Sequence, residues 1–515
     1  MSRKRKHKSI SASQSFLIEH NSGAIRKATG TFSAAKETSS SKFDAEPDPT
    51  IEITPLGAAQ YVGKSCILVK ICGRLIMLDC GMHLGFTSHR RYPDFKEIGD
   101  INRISCVIIT HFHLDHCAAL PYFTETLGYQ GPIFMTTPTR ALCRIMLEDY
   151  ERIMKHRYGV NEIYTSKMIS SCLKKVTCVS FKERFSIPHD PDIHFVAYHA
   201  GHVLGAAMIG ISAASGGNEP ISVLYTGDYN MTPDRHLAAA KIPRFLPGCN
   251  SLKPDVLITE STYATSTRDS RLLGESEILR TIHNCVSKNG KVLLPVFAVG
   301  RAQELCLLLD RYWERSNLSK IPVYFSSKLS KEALSCYGRF STWNGVKENS
   351  GSQSYLLKHV TPWKYYGNES EKMLQSKGPM VLLATSATLE GGLSLSAFKI
   401  WASDPKNLIL MPGNSAPGTL AGRLTSNERS ITLKGRSSSN QILEVKCQVK
   451  QVANFSAHTD SKGIMDLLQQ FKPKLAVLVH GEKEKMARLG ETIEERLGIL
   501  TVYPEEKNSV KVFKT

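Results

Sequence analysis

The sequence predicts an α/β protein with layered sheets. Short apolar runs that end in turn residues recur from residue 51 onward, as expected of strands that are buried on both faces. Helical patterns lie between some of these runs, and strands that alternate with helices favour an α/β architecture. The composition agrees with this, because 42% hydrophobic and 22% charged residues are ordinary for a globular protein.

The individual elements follow from the spacing of the apolar residues. Strands are predicted at residues 65–70, 75–79, 105–110, 221–226, 256–259, 291–296 and 475–479. Helices are predicted at residues 140–156, 301–315 and 461–471, where apolar side chains return at the spacing of one helix face. Residues 344–377 are polar and weakly patterned, so we expect a loop-rich insertion there.

The first 49 residues differ from the rest of the chain. They are polar, rich in Ser and without apolar periodicity, which predicts a disordered tail. The basic run Arg3–Lys8 is a candidate nuclear import signal, and a solvated basic tail is the alternative. Of the formal net charge of +18, most belongs to the body after the tail. A basic body favours polyanionic partners, nucleic acid first, over a merely solvated surface.

Length and cysteine usage exclude several classes of protein. A chain of 515 residues can bury a large core without disulfides, so a collagen-like or wholly disordered protein is excluded. The longest uncharged apolar stretch, residues 292–300, is far shorter than the ~20 residues of a membrane-spanning helix. The 13 Cys are odd in number and include no C-x-x-C pair, which argues against a disulfide framework and a Cys₄ zinc site. We therefore expect a reducing compartment, the nucleus or the cytosol.

One short motif carries metal chemistry. His111, His113, Asp115 and His116 form an H-x-H-x-D-H pattern directly after an apolar run. In an extended segment, side chains two positions apart face the same way, so His111 and His113 can bind one metal ion. Imidazole and carboxylate ligands suit zinc, although manganese or iron also accepts nitrogen and oxygen ligands. A surface histidine cluster is the alternative, but this density at a strand end favours a metal site.

Further ligand-type side chains close other predicted strands or turns. These are Asp79, His202, Asp228 and His480, each at the end of an apolar or turn-bounded run. A buried, unpartnered His or Asp is costly, so such residues need partners. Asp228 is suited to bridge two metal ions, and two ions ~3.5–4 Å apart can clamp both oxygens of a phosphodiester displacement. The sequence thus favours a dinuclear hydrolase.

The arrangement resembles the metallo-β-lactamase fold, and within it the β-CASP branch of nucleic-acid nucleases. The later motifs of that branch match Glu260 in residues 258–263 and His458 in residues 454–460. The resemblance implies a four-layer αβ/βα metallo-β-lactamase domain with an inserted α/β β-CASP domain. It divides the body into residues 50–264 and 451–515 for the first domain and residues 265–450 for the second.

The resemblance also implies roles for the site residues. Seven side chains would hold two zinc ions: His111, His113 and His202 the first, Asp115, His116 and His480 the second, with Asp228 bridging. Asp79 would orient a ligand imidazole. Asp115, His458 and Glu260 would be the catalytic residues, with His458 as the general acid and Glu260 orienting it. No substrate-binding residue is assigned.

Longer strings narrow the expected function. In this family, members that process RNA have a histidine at the position of His480, so the resemblance implies an RNA substrate. Residues 78–86, 90–95 and 226–237 resemble the Integrator-type branch of the family. This implies an endonuclease that cuts single-stranded RNA to a 3′-hydroxyl and a 5′-phosphate in the nucleus. It would process small nuclear and other nascent RNAs, with a catalytically inactive β-CASP paralogue and other subunits as partners.

Three alternatives stay open. The chain could be the endonuclease of pre-mRNA cleavage and polyadenylation, a hydrolase of a lactam or thioester, or mainly a structural scaffold. The basic charge and the inserted domain disfavour the second, and the complete ligand set disfavours the third. The chain also departs from its family in the loop that borders the site, where Ala59 and Tyr61 replace the usual Gly and acidic residue.

Overall fold

The computed structural model describes residues 16–20, 24–28, 49–86, 88–158, 163–188, 190–215, 218–242, 246, 253–267, 271–326, 330–345, 357–413, 415, 418–434, 440–452 and 455–514. Over these ranges, no helix has both the length and the apolar character needed to cross a membrane. The basic run at residues 3–8 lies outside the described residues.

Strands and helices alternate along the described residues. The strands are β1 (Phe16–His20), β2 (Ala24–Ala28), β3 (Ile51–Gly57), β4 (Cys66–Ile71), β5 (Arg74–Leu78), β6 (Ile104–Ile108), β7 (Ile133–Thr136), β8 (Val176–Val179), β9 (Arg184–Ile187), β10 (Asp190–His199), β11 (Ala207–Ser215), β12 (Asn218–Tyr225), β13 (Val256–Glu260), β14 (Lys291–Pro295), β15 (Val323–Ser326), β16 (Val360–Pro362), β17 (Met380–Ala384), β18 (Leu408–Pro412), β19 (Ser430–Lys434), β20 (Asn440–Glu444), β21 (Gln448–Val452), β22 (Leu475–Val479), β23 (Leu500–Val502) and β24 (Val510–Lys514). The helices are α1 (Leu114–Cys117), α2 (Leu120–Glu125), α3 (Thr137–Tyr158), α4 (Ser166–Lys174), α5 (Arg271–Ser287), α6 (Arg301–Arg315), α7 (Ser330–Arg339), α8 (Gly367–Gln375), α9 (Gly392–Trp401), α10 (Leu420–Thr425), α11 (Ser461–Phe471) and α12 (Lys483–Leu497). Within the ranges given above, short 3₁₀ helices cover His89–Arg91, Phe95–Ile98, Ile101–Arg103 and Ser341–Asn344.

Two mixed sheets form a sandwich. The first has the order β2-β1-β24-β3-β4-β5-β6-β7-β8, and the second has the order β23-β22-β13-β12-β11-β10-β9. Buried side chains from both sheets, such as Ile67, Val69, Ile209 and Val477, form one core cluster between them. Helices α2, α3, α4, α11 and α12 pack their apolar faces on the outer sides of the sandwich. This is the predicted four-layer αβ/βα arrangement.

A third sheet forms a separate layer with its own helices. Its order is β16-β15-β17-β14-β18-β21, and every pair in it is parallel. Helices α5 and α6 cover one face, and α9 and α10 cover the other. Strand β14 is buried along most of its length, which explains its continuous apolar sequence. The predicted α/β class is therefore confirmed for both parts of the body.

The predicted elements agree with the structure where the apolar pattern is strong. Helices α6 and α11 and strand β22 have the predicted bounds. Helix α3 begins at Thr137, earlier than predicted, because Pro138 is tolerated in a first helical turn. The insertion expected at residues 344–377 is only partly loop, since β16 adds an edge strand to the third sheet and α8 is an amphipathic helix.

The prediction of disorder across residues 1–49 is wrong at two places. Strands β1 and β2 pair as an antiparallel hairpin, and β1 pairs with β24 at the edge of the first sheet. Ile18 is buried in the core of the sandwich. This burial stabilises the segment although the sequence around it is polar. The partner strand lies almost 500 residues away, so no local pattern in the sequence indicates this pairing.

The topology brings several strand ends to one edge of the sandwich. Strands β5 and β6 are parallel neighbours, and so are β12, β13 and β22 in the opposite sheet. Residues that close parallel neighbours meet at the carboxyl edge of a sheet, which is where α/β proteins place their sites.

Candidate metal centre

The first group of ligand-type side chains follows strand β6. His111 and His113 lie in the extended segment between β6 and α1, and His202 reaches them from the turn after β10. Nε2 of His111 lies 3.1 Å from Nδ1 of His113, and Nε2 of His202 lies 3.0 Å from that same Nδ1. Three ring nitrogens therefore converge on one point, as the two-residue spacing predicts for His111 and His113.

A second group lies beside the first. Asp115 and His116 belong to the short helix α1, and His480 follows strand β22. Nε2 of His480 lies 3.4 Å from Oδ2 of Asp115, and Nε2 of His116 lies 3.9 Å from that oxygen. His480 has a left-handed backbone with φ of 54°, which turns its side chain back toward the centre.

Asp228 lies between the two groups. Its Oδ2 is 3.7 Å from Nε2 of both His111 and His202, and 3.2 Å from Nε2 of His116. Its Oδ1 is 3.5 Å from Nδ1 of His480 and is buried without a hydrogen-bond partner in the described part of the chain. A buried carboxylate oxygen needs a partner, and a cation shared by the two groups would provide one.

The spacing of these atoms fits zinc. Tetrahedral zinc with Zn–N bonds of ~2.0–2.1 Å places neighbouring ligand atoms about 3.4 Å apart. The distances between 3.0 and 3.9 Å in the two groups bracket that value. The donors are imidazole nitrogens and carboxylate oxygens, so manganese and iron also suit them.

The electrostatics of the centre favour a bound cation. Burial lowers the pKa of the His111 and His202 imidazoles well below the usual range, and lowers that of His113 to about 4. These rings are therefore neutral, which is the form that binds metal. Burial alone would also lower the pKa of His116, but carboxylates led by Asp228 raise it well above the usual range. The carboxylates around His116 thus stabilise a positive charge there, which either a proton on His116 or a bound metal ion can provide.

Hydrogen bonds fix the orientation of three ligand imidazoles. Each is held through Nδ1, opposite the nitrogen that faces the centre: His116 by Oδ2 of Asp79 at 2.8 Å, His202 by the carbonyl of Ala457 at 2.9 Å, and His111 by Oγ1 of Thr110 at 3.0 Å. Such supporting bonds set the tautomer and ring orientation of a metal ligand. The imidazoles are therefore preorganised by the protein itself.

Asp79 is the best supported of these groups. It is fully buried, and its left-handed backbone, with φ of 62°, turns the chain where β5 ends. Its carboxylate accepts hydrogen bonds from the backbone N–H of Thr110 at 2.7 Å and from the hydroxyl of Tyr225 at 2.9 Å. The carboxylate thus joins the strand ends of both sheets to one metal-facing imidazole.

We expect the substitution Asp79→Ala to weaken zinc binding about 10- to 100-fold, because His116 loses the group that orients its ring. The measurement is a zinc titration against a competing chelator. Asp100→Ala is the matched control, because Asp100 only caps a surface 3₁₀ turn. Equal zinc affinity in the two variants would contradict the orienting role of Asp79.

Glu260 and His458 form a pair at the rim of the centre. Nδ1 of His458 lies 2.8 Å from Oε2 of Glu260 and 3.7 Å from Oδ2 of Asp228. Glu260 is buried, and its other oxygen accepts a hydrogen bond from the backbone N–H of Tyr229 at 2.8 Å. Burial alone would lower the pKa of His458, but Glu260 and Asp228 raise it above the usual range. A protonated imidazole beside the centre can act as an acid.

The structure brings together at this edge all ten residues singled out from the sequence: Asp79, His111, His113, Asp115, His116, His202, Asp228, Glu260, His458 and His480. It also adds residues that the sequence did not indicate. Thr262 donates a hydrogen bond to Oε2 of Glu260 at 2.6 Å and lies 3.1 Å from Nδ1 of His480. Its place two residues after Glu260 was the only available signal.

A separate set of ion pairs ties the segment after Asp228 to the helices of the third sheet. Nη1 of Arg301 lies 3.0 Å from Oδ2 of Asp234, and Nη1 of Arg235 lies 3.0 Å from Oε1 of Glu304. Nδ1 of His236 lies 2.6 Å from the other oxygen of Glu304. The segment that carries the central carboxylate is therefore anchored directly to α6.

Comparison with protein families gives three matches along the chain. Residues 68–258 match a metallo-beta-lactamase superfamily domain, and residues 302–424 match a Beta-Casp domain. Residues 442–504 match a Zn-dependent metallo-hydrolase RNA specificity domain. The three matches contain most of the residues of the centre and of the third sheet.

Three relatives are similar over most of this chain. Integrator complex subunit 11 of Gallus gallus is 46% identical over 469 residues, which cover 90% of this chain and 74% of the relative. Cleavage and polyadenylation specificity factor subunit 3-II of Arabidopsis thaliana is 46% identical over 474 residues, covering 90% and 73%. Cleavage and polyadenylation specificity factor 73 of Drosophila melanogaster is 36% identical over 458 residues, covering 88% and 63%.

Proposed function

The chain belongs to the β-CASP branch of the metallo-β-lactamase superfamily, and on that premise we propose that it is a zinc-dependent RNA endonuclease. It hydrolyses a phosphodiester to a 3′-hydroxyl and a 5′-phosphate. The observation that carries this proposal is the position of Asp228, whose carboxylate lies between two groups of nitrogen and oxygen donors. Such a centre suits a reaction in which negative charge develops on phosphate oxygens.

The domain division proposed from the sequence has support in the sheet topology. The sandwich takes its strands from before residue 261 and after residue 474, whereas the third sheet takes its strands from residues 291–452. We assign residues 50–264 and 451–515 to the metallo-β-lactamase domain and residues 265–450 to the inserted domain. The hairpin β1–β2 joins the first domain rather than a separate tail.

Two zinc ions are proposed, one for each donor group. His111, His113 and His202 would hold one ion, Asp115, His116 and His480 would hold the other, and Asp228 would contact both. Zinc bound here would lower the pKa of a water ligand to ~7 and offset the charge of the phosphate. The protein's part is to orient two of the imidazoles, His116 through Asp79 and His202 through the carbonyl of Ala457.

His458 is proposed as the general acid. Its Nδ1 is held by Glu260, so the proton that it transfers belongs to Nε2 and goes to the leaving 3′-oxygen. Glu260 stabilises the protonated ring before the transfer and keeps it oriented. Asp115 is the third proposed catalytic residue, and its Oδ2 lies 3.4 Å from Nε2 of His480 in the second donor group.

RNA is the proposed substrate, in single-stranded form. The match of residues 442–504 to an RNA specificity domain supports this, and that segment contains His458 and His480. The relatives named for the Integrator complex support a place in a nuclear multi-subunit complex that processes small nuclear and other nascent RNAs. If the chain works in such a complex, its proposed partners are a catalytically inactive β-CASP paralogue and the other subunits of the complex.

A second candidate is the pre-mRNA cleavage and polyadenylation machinery. The Arabidopsis thaliana relative carries that name at 46% identity, while the Drosophila melanogaster relative is only 36% identical. Affinity purification from nuclei distinguishes the two assemblies. We expect Integrator subunits rather than polyadenylation factors to co-purify with the chain.

The activity is tested with purified protein of measured zinc content, a labelled single-stranded RNA and the DNA of the same sequence. We expect internal cleavage of the RNA alone, and its loss in the double variant Asp115→Ala, His116→Ala. End mapping should give a 3′-hydroxyl and a 5′-phosphate. A 2′,3′-cyclic phosphate, or cleavage that persists in the double variant, would contradict the mechanism.

A further inference from the structure

A row of aromatic and cationic side chains, with neighbouring rings tilted to each other, lies on loops that pack against the metal motif. It consists of Tyr61, His83, Phe86 and Arg90, and we name it the rim ladder. The ring centroids of Tyr61 and His83 are 6.3 Å apart, and those of His83 and Phe86 are 4.4 Å apart. The guanidinium of Arg90 lies 4.6 Å from the centroid of Phe86. Nothing in the proposed hydrolysis uses these four side chains.

The rim ladder is fixed to the metal motif through the backbone. The N–H of Ser65 donates to the carbonyl of Asp115 at 2.7 Å, and the N–H of Met82 donates to the carbonyl of Leu114 at 3.0 Å. Gly81 has no room for a side chain, because an added Cβ would lie 1.7 Å from the carbonyl oxygen of Asp115. The two loops that carry the ladder therefore cannot shift without displacing the metal motif.

The ladder also borders the cleft between the two domains. Leu84, which lies between His83 and Phe86 in the chain, lines a cavity together with Phe297 and Ala298 of the inserted domain. Arg90 is exposed, and the rings of His83 and Phe86 are partly exposed. The outer end of the ladder thus faces solvent beside the cleft between the two domains.

The chemistry of the ladder suits an unpaired nucleobase. Proteins bind single strands by stacking successive bases on aromatic rings and on the plane of an arginine guanidinium. An arginine over an aromatic ring presents such a plane together with a positive charge for the adjoining phosphate. At the inner end, Tyr61 donates a hydrogen bond to Glu506 at 2.7 Å, and Lys64 pairs with the same carboxylate at 2.8 Å, so that end is held in place.

We propose that one RNA base stacks on the outer end of the rim ladder, against Phe86 and Arg90, and so sets which phosphate reaches the metal centre. This inference rests on the proposed function, since it names a base-binding subsite for the same reaction. Tyr61 gives the ladder an aromatic inner end that carries no charge of its own.

The test is a cycle of protein and RNA substitutions, read as binding rather than cleavage. Zinc-loaded protein with His458→Ala keeps the RNA intact, and fluorescence anisotropy gives the Kd of a labelled 12-nucleotide single-stranded RNA. A set of RNAs, each with one abasic nucleotide, locates the stacked position. Phe86→Ala is compared with Phe86→Trp and Arg90→Lys, and the zinc content of each protein is measured.

We expect Phe86→Ala to raise the Kd roughly 5- to 100-fold, the range for loss of one stacked base. One abasic position should cause a similar loss, and the two changes together should cost no more than either alone, because they remove the same contact. Phe86→Trp should bind like the parent protein. Arg90→Lys should lose part of the affinity, because it keeps the charge but not the plane.

Two results would overturn the proposal while leaving the proposed function intact: a Kd unchanged by Phe86→Ala, or a loss that is the same for every abasic RNA. A protein that holds zinc but binds none of the RNAs would contradict the proposed function, and the ladder's role with it.

Discussion

The substitution Asp228→Ala is expected to abolish RNA cleavage and to remove bound zinc. Oδ2 of Asp228 lies within 4 Å of donors from both groups, so its loss removes a ligand from both proposed sites at once. Metal centres supply several kcal/mol of transition-state stabilisation, so we expect a fall in kcat/KM of at least about 10³-fold. Zinc per protein is measured by elemental analysis and cleavage on labelled RNA.

Asp100→Ala again serves as the matched control, since it removes a carboxylate from the surface of the same domain. Near-normal zinc content together with near-normal cleavage in the Asp228 variant would refute the bridging role. Loss of one zinc only, with the other retained, would limit Asp228 to a single site.

The substitution His458→Ala is expected to separate catalysis from metal binding. His458 forms a third ligand-type group with Asp228 and Glu260, but it belongs to neither proposed zinc site and its Nδ1 is held by Glu260. The zinc content and the Kd for RNA should therefore stay unchanged. The turnover number should fall about 10²- to 10⁴-fold, which is the usual contribution of a general acid. His283→Ala is the control, because His283 only bonds Tyr312 on the far helices.

A substrate with a sulfur leaving group tests the general-acid role of His458 directly. An RNA with sulfur in place of the scissile 3′-oxygen needs little protonation on departure, so the His458→Ala protein should cut it at nearly the rate of the parent protein. If the variant instead lost zinc, or remained slow with the sulfur substrate, His458 would not be the acid.

The residues of the centre could be located from the sequence because each closes a strand or lies in a dense motif. His111 and His113 are two positions apart in extended chain, and Asp79, Asp228 and His480 each follow an apolar run. Topology then brings the strand ends together. The order of the strands could not be predicted from the residues, because no feature of the sequence near β22 indicates that it pairs with β13.

What the sequence concealed is mostly hydrogen bonding and long-range pairing. The backbone carbonyl of Ala457 accepts a hydrogen bond from His202. Every residue has a backbone carbonyl, so the sequence cannot indicate which one orients a metal ligand. Thr262 resembles many other threonines until its contact with Glu260 is seen. The hairpin β1–β2 was predicted as disorder, because its burial depends on β24 rather than on its own composition.

The pairing of distant strands has a consequence for how the enzyme is made. The sandwich is incomplete without β22 and β24. Strand β22 ends directly before His480, and β24 lies between β1 and β3 in the first sheet. A chain still on the ribosome can complete the third sheet by residue 452 while lacking both strands and one proposed metal ligand. The inserted domain can therefore fold first, as domains do during synthesis, whereas the metal centre closes only after residue 480 emerges. Newly made protein thus passes through a stage in which the inserted domain is complete while the metal centre still lacks His480.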